Sequence, residues 1–256
     1  MFSFRVKDVD VSHRLDPRPL TVPDVAKHYH AMYEIFYFVS GDACLITERG
    51  QCALRPGDVM FIRPGQHHIV ALDRETPYER YVLKFSVGFV PEHVIDRFGP
   101  DVDFFRANDR MRELMVGLDE LYEKFYGFDL YTLINCRINE ITVLLSRDTA
   151  IYKSFTRDKL VTDMIDYIDE HVVGHLDMAA LCEKFGKTRA FLTARFNRVM
   201  RSPVMQYVRA KKLIAAHKDI LAGARPTDVA LKYGFTDYST FYRAYVKVIG
   251  DKPARR

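Results

Sequence analysis

The segment HYHAMYEIFYFVSG sets His28, His30 and Glu34 in the spacing H-x-H-x3-E, and Gly41 closes the run. Further along, GDVMFIRPGQHH contributes Gly57, Pro64, Gly65 and the pair His67 and His68. On one extended strand His28, His30, Met32, Glu34, Phe36 and Phe38 share a face, because strand side chains alternate with a period of two. Turned inward, two imidazoles and a carboxylate converge, and His68 from another strand completes the group. Three kinds of chemistry fit. The groups can hydrogen-bond a small polar molecule, hold Zn²⁺, Fe²⁺ or Mn²⁺ through His and carboxylate ligands, or simply satisfy one another. A binding pocket of His28, His30, Glu34, Phe36 and His68 is the favoured reading, with no catalytic residue and no cofactor. A metal on His28, His30, Glu34 and His68, with enzymatic turnover of a small substrate, is one alternative, and an inert group in a barrel that only dimerises the chain, with no ligand response, is the other. The nearby Tyr29, Tyr33, Phe36, Tyr37, Phe38, Tyr78 and Tyr81 belong more often to a core than to a pocket. Aromatic platforms also suit sugars, so a carbohydrate is the first expectation for a ligand.

A second constellation lies near the C-terminus. DMAALCEKFGKTRAFLTARFNRVM and PTDVALKYGFTDYSTFYRAYVKVI each read as a short helix, a Gly-containing turn and a second helix. At an offset of 49 residues Leu192 matches Phe241, Phe196 matches Tyr245 and Met200 matches Ile249. Apolar positions at i, i+4 and i+8 pin each second helix onto its first, and Gly186 and Gly234 tolerate the positive φ a tight turn needs. This is a helix-turn-helix pattern, whose second helix lies in a DNA major groove. Between the units SPVMQYVRAKKLIAAHKDILAG reads as one helix of about 20 residues, spanning ~30 Å. Successive major grooves on one face of a duplex lie ~34 Å apart. One chain can therefore present two reading helices to adjacent grooves.

GFTDYSTFYRAYVKVIGDKP resembles the C-terminal signature of the AraC/XylS family of transcription regulators, at Gly234, Phe235, Phe241, Arg243, Tyr245, Gly250 and Pro253. The histidine-bearing segments resemble the two sequence motifs of cupins, the barrel that this family places before its DNA-binding region. The resemblance implies base-facing residues at Ala190, Thr193 and Ala194 in the first unit, and at Tyr238, Ser239 and Arg243 in the second. Arg243 can donate two hydrogen bonds to a guanine edge, and Ala190 or Ala194 can meet a thymine methyl. Arg189, Arg198, Lys187, Lys211, Lys212 and Lys247 are placed for phosphates. The first reading helix departs from the family in its small side chains, and Arg201 stands where a glycine commonly ends that helix. The resemblance further implies double-stranded DNA, a small-molecule effector, a second copy of the chain and, for an activator, RNA polymerase as partners.

The elements that must position these groups follow from periodicity. From about Val22 to Val87 short β-branched and aromatic runs, separated by Gly, Pro and Asp, predict an antiparallel barrel or sandwich. The period then changes to 3.6. Met111, Leu114, Met115, Leu118, Leu121, Tyr122 and Phe125 form one helical stripe, capped by Asn108 or Asp109. Leu130, Leu133, Ile134, Ile138, Ile141, Leu144 and Leu145 form another beyond Gly127. The expected fold is α+β: a cupin-like barrel over 1–105, a helical hairpin for dimerisation over 106–148, a linker over 149–158 and an all-α region over 159–256. Polar residues from Ser146 to Arg157 predict a hinge.

Composition agrees with a globular regulator. Hydrophobic residues are 48% and charged residues 28% of the 256, a profile that excludes a disordered chain. From Leu160 to Arg256 there are 17 Lys and Arg against 10 Asp and Glu, whereas the whole chain carries only +4. A basic end on a mildly acidic body fits contact with a polyanion. Cys44, Cys52, Cys136 and Cys182 show no CxxC spacing, no apolar run reaches the ~18 residues of a membrane span, and the charged N-terminus lacks the apolar centre of a signal peptide. A reduced cytoplasmic setting is expected.

Overall fold

The computed structural model describes residues 1–6, 8–17, 30–72, 76–100, 102–151 and 153–254. Strands β1 (Phe2–Val6), β2 (Val9–Asp16), β3 (Tyr33–Ser40), β4 (Ala43–Thr47), β5 (Gly50–Ala53), β6 (Asp58–Ile62), β7 (His68–Leu72), β8 (Tyr78–Phe85) and β9 (Asp103–Arg106) form two sheets. One has the order β1-β2-β8-β3-β6-β9 and the other β5-β4-β7, every neighbouring pair antiparallel. The sheet region therefore begins at Phe2, ahead of the predicted start near Val22. In FSFRV and VDVSHRLD, charged residues interrupt the β-branched runs, because one face of β1 and β2 stays open to solvent.

Strand alternation sorts the side chains into two layers. Phe36, Phe38, Leu45, Met60, Ile62 and Tyr78 fill the space between the sheets. Val9, Val11, Ile35, Tyr37 and Leu83 point the other way, onto α2 (Asp109–Lys124) and α3 (Gly127–Leu145). Asn108 caps α2 by accepting from Met111 N–H at 2.8 Å, as its position before the apolar stripe predicts. A short helix, α1 (Glu92–Ile95), precedes β9.

The C-terminal region is helical: α4 (Lys159–Glu170), α5 (Met178–Phe185), α6 (Arg189–Met200), α7 (Val204–Leu221), α8 (Pro226–Lys232) and α9 (Tyr238–Ile249). The first unit does not stand apart from the barrel. Ile46, Ile69 and Ala71, on the outer face of the three-stranded sheet, share one apolar cluster with Val161, Met164, Leu192, Phe196 and Tyr207. Leu213, Ile220, Val229, Phe241 and Tyr245 form a separate core for the second unit.

The segment expected to be a hinge is tied to the barrel. Gln51 and Thr156 exchange both backbone hydrogen bonds, at 3.0 and 2.8 Å. Lys153 Nζ reaches the fully buried Asp58 at 2.5 Å, and Phe155 packs into the filling between the sheets. The segment is polar by composition, yet its Lys153 neutralises a buried carboxylate.

Candidate functional site

Glu34 lies on the inner face of β3, opposite Lys84 in the register with β8. Its Oε2 receives three groups: Lys84 Nζ at 3.0 Å, His30 Nε2 at 2.8 Å and His68 Nε2 at 3.3 Å. His30 precedes β3, and His68 opens β7 on the other sheet. The predicted convergence of His30, Glu34 and His68 is therefore present, and the sequence reading missed Lys84, which lies 50 residues from Glu34. His28 lies outside the described residues. Phe36 shares Glu34's face but sits in the filling between the sheets, 4% exposed. His67 and His68, adjacent in sequence, part company: His67 faces outward, its ring 5.6 Å from that of Tyr207.

Each inner histidine uses Nδ1–H on a backbone carbonyl, His30 on Met32 and His68 on Gln66, both at 2.9 Å. A neutral ring then turns a lone pair on Nε2 toward the carboxylate. Burial lowers the His30 pKa, against the opposing pull of the Glu34 carboxylate. Burial alone would raise Glu34, but the Lys84 ammonium, with His68 and His30, holds its carboxyl well below the usual range. An ionised carboxylate facing imidazole lone pairs attracts a donor or a cation. Nδ1–H bonding of this kind is how metal-binding histidines are oriented, so two Nε2 atoms and a carboxylate fit such an ion. Lys84 already holds the shared oxygen.

In front of the cluster an open cleft of about 1090 Å³ separates the barrel from the second helical unit. His30, Arg14, Arg80 and Lys84 line one wall, and His217, Lys247 and Ile249 line the other. Glu34, Phe36 and His68 do not line it among the described residues.

The two helix-turn-helix units have the predicted local geometry. Gly186 ends α5 at φ 59°, and Thr188 caps α6 by accepting from Phe191 N–H at 3.3 Å. Gly234 follows α8 at φ 77°, where a Cβ would collide with the Gly174 carbonyl, and Asp237 caps α9 from Thr240 N–H at 2.7 Å. Leu192, Phe196 and Met200, like Phe241 and Tyr245, are buried. Arg189, Ala190, Ala194 and Arg198 are exposed and Thr193 is half-buried; Tyr238, Ser239, Arg243 and Lys247 are exposed. Both outer faces are thus open to a duplex. The connector α7 has 18 residues, ~27 Å. Two of the lysines read as phosphate contacts point inward instead. Lys211 pairs with Asp169 at 2.7 Å and Glu48 at 3.1 Å, and Lys212 donates to Gly174 O at 2.5 Å. Both lie on the face of α7 that packs, which polarity alone did not reveal.

Residues 20–124 match the family model of the AraC-like ligand binding domain, and residues 181–255 match that of a helix-turn-helix domain. The chain belongs to the AraC/XylS family. It is a transcriptional regulator with an N-terminal ligand-binding domain and a helix-turn-helix DNA-binding domain. Over 100 residues it is 26% identical to the regulatory protein SoxS of Escherichia coli, covering 39% of this AraC/XylS member and 94% of SoxS. Over 117 residues it is 20% identical to the transcriptional activator AarP of Providencia stuartii, covering 45% and 84%. Among solved structures, ToxT of Vibrio cholerae aligns over 97% of each chain at 12% identity with a TM-score of 0.40. Among the described residues, no helix is long and apolar enough to cross a membrane.

Proposed function

We propose that this regulator reads an operator with α6 and α9 while a small polar effector, a sugar-like molecule being the first expectation, docks at the mouth of the barrel. Ala190, Thr193, Ala194, Tyr238, Ser239 and Arg243 face bases, and Arg189, Arg198 and Lys247 hold phosphates. His30, Glu34 and His68 form the polar floor behind the effector, with His28 an expected addition. A cytoplasmic homodimer, paired through α2 and α3, is the working form, and RNA polymerase is a further partner if the protein activates. The observation that carries the DNA reading is the pair of capped, outward-facing helices joined by a connector of near-groove spacing.

Fluorescence anisotropy at fixed salt tests it. The protein is expected to bind a fragment from its own upstream region at least ~10³ times more tightly than unrelated DNA; equal affinity for both sinks the reading. Arg243→Ala is expected to cost about 1–3 kcal/mol at one base position and to relax specificity there. A loss uniform across all sequences would place Arg243 on phosphate instead.

A second reading has one observation in its favour: both inner histidines aim Nε2 at Glu34 through Nδ1–H bonds to carbonyls. It makes the cluster a divalent-metal site, the basis of the alternative of a metal-dependent enzyme. Elemental analysis of the purified protein decides it. About one tightly held metal per chain, lost in Glu34→Ala, supports that reading, and less than ~0.1 per chain after growth with added zinc removes it.

A further inference from the structure

We infer that Lys212, by holding the Gly174 carbonyl, fixes the angle between the two helix-turn-helix units and so sets the spacing of the two DNA segments the chain accepts. Lys212 is then a positioning residue for DNA recognition, acting through α7 and the loop between α4 and α5 without touching the duplex, a role that rests on the regulator reading above.

The connector alone does not determine how the units face each other. It fixes the distance between them, but a unit held only by one helix can still roll about it. Tyr207 and Val208 on α7 belong to the apolar cluster of the first unit, and Leu213 and Ala216 to the core of the second. Lys212 stands at the changeover and is only 7% exposed. Its ammonium donates to Gly174 O at 2.5 Å, and no carboxylate pairs with it among the described residues. Burial pushes its pKa below the ordinary lysine value. A desolvated charge with a carbonyl for its partner is costly. A helix that needed only a filled core would hold an apolar side chain there, whereas a buried charge can select one arrangement among several.

Gly174 lies between α4 and α5, in the first unit, yet it is seated on the second. Its N–H donates to Lys232 O, at the end of α8, at 2.8 Å. Its carbonyl lies so close to Gly234, in the turn of the second unit, that a Cβ there would come within 2.3 Å of it. Val172, two residues earlier, packs against the second unit's core, and Leu176, two residues later, lies in the first unit's cluster. One peptide unit thus bridges the two units, and Lys212 binds that peptide to the helix they share. Without the ammonium the Gly174 carbonyl loses its tie to α7, and the bridge loosens. Inserting one base pair between two contacted segments moves one of them ~3.4 Å along the duplex and turns it by about a tenth of a turn. A rigid joint cannot follow such a shift, whereas a loosened one can.

Selection from random duplexes with the full chain yields its site, and Arg243→Ala marks the segment read by α9. Anisotropy then compares that site with versions one base pair longer and one base pair shorter between the segments. The wild type is expected to bind the altered sites at least ~10-fold more weakly. Lys212→Met keeps the apolar stem and removes the charge, and in it that penalty should fall to about 3-fold or less. Equal weakening at every spacing would give Lys212 a merely structural part and overturn the proposal, as would a wild-type penalty in a variant that melts cooperatively. Should Lys212→Met fail to fold, Val172→Ala loosens the same bridge from the second unit's core, and a wild-type penalty there overturns the proposal equally. A wild type indifferent to spacing overturns it while leaving the regulator reading intact. A selection that enriches no sequence sinks the regulator reading, and the proposal with it.

Discussion

Glu34 gathers three nitrogen-bearing side chains on one oxygen, with its side chain only 4% exposed. Removing one partner of a buried ionic group leaves the other charges desolvated without compensation, at a cost of about 3 kcal/mol. Glu34→Gln is therefore expected to lower the free energy of urea unfolding by about that much. Adding Lys84→Met should recover part of the loss, since the stranded ammonium goes too; a double variant as unstable as the sum of the singles would show that Lys84 and Glu34 act independently. The pH dependence has a definite sign. A carboxylate held below its unfolded value of about 4.3 contributes stability above that value and loses it as pH falls through the folded pKa. The wild type should thus show an acid limb below about pH 4 that is shallower in Glu34→Gln. Arg201 offers the opposite kind of change. It ends α6 at φ 50° and is the one non-glycine residue with positive φ among those described. Arg201→Gly should stabilise the protein by about 0.5–1 kcal/mol, since glycine adopts this conformation without the Cβ penalty. An unchanged or lower urea midpoint would mean that the arginine side chain repays the strain.

Elements show where the sequence was legible and where it was not. Helices α5, α6, α8 and α9 were legible because a glycine-containing turn separates the two helices of each unit, an apolar i, i+4, i+8 stripe marks each second helix, and Asp177, Thr188 and Asp237 cap α5, α6 and α9. Arg201 stood out for the same reason: the position needs a left-handed residue. Glu34, Phe36 and Phe38 fell on one face because strand parity is a local rule. Lys84 was invisible because its place beside Glu34 depends on which strand neighbours which, and in what register. Nothing within β3 or β8 states that they pair. The segment after α3 misled for a related reason. Its polarity predicts a loose hinge, whereas its contacts are with β5 and β6, about a hundred residues earlier. Gly50 is the position that admits it: φ is 118°, and a Cβ would collide with the Thr156 carbonyl. Gly50→Ala should therefore break the Gln51–Thr156 pairing and speed trypsin cleavage after Lys153 or Arg157 several-fold, a loss of about 1 kcal/mol of local closure. Cleavage at the wild-type rate would mean that Lys153 and Asp58 hold the segment without the strand pairing.

On the scale of the whole molecule, the two ends of the DNA reader are attached to the barrel in different ways. The first unit is joined through apolar surface, with Ile46, Ile69 and Ala71 of the barrel inside its cluster, and through Glu48, which accepts from Tyr207 and pairs with Lys211. Among the described residues, the second unit has its own core and faces the barrel across the open cleft. A signal from the barrel therefore reaches the reader by altering one attachment relative to the other, and the first must be breakable without unfolding either part. Ile69 is the place to test this. It is 1% exposed, it faces the reader, and the inward face of its strand carries His68 and Val70. Ile69→Asp puts a carboxylate into that interface, and a buried, unpaired charge costs several kcal/mol unless it regains water. The reader can supply that water by leaving the sheet, whereas the packing between the sheets, on the other face of β7, is untouched. Small-angle scattering should then give a larger radius of gyration for Ile69→Asp, with circular dichroism close to wild type. Loss of the far-ultraviolet signal would show that barrel and first unit form one cooperative block that cannot part. An unchanged radius together with an unchanged melting temperature would place Ile69 outside the interface altogether. Only the first outcome leaves the reader free to be redistributed by a ligand, because a population shift needs a second arrangement within a few kcal/mol of the docked one.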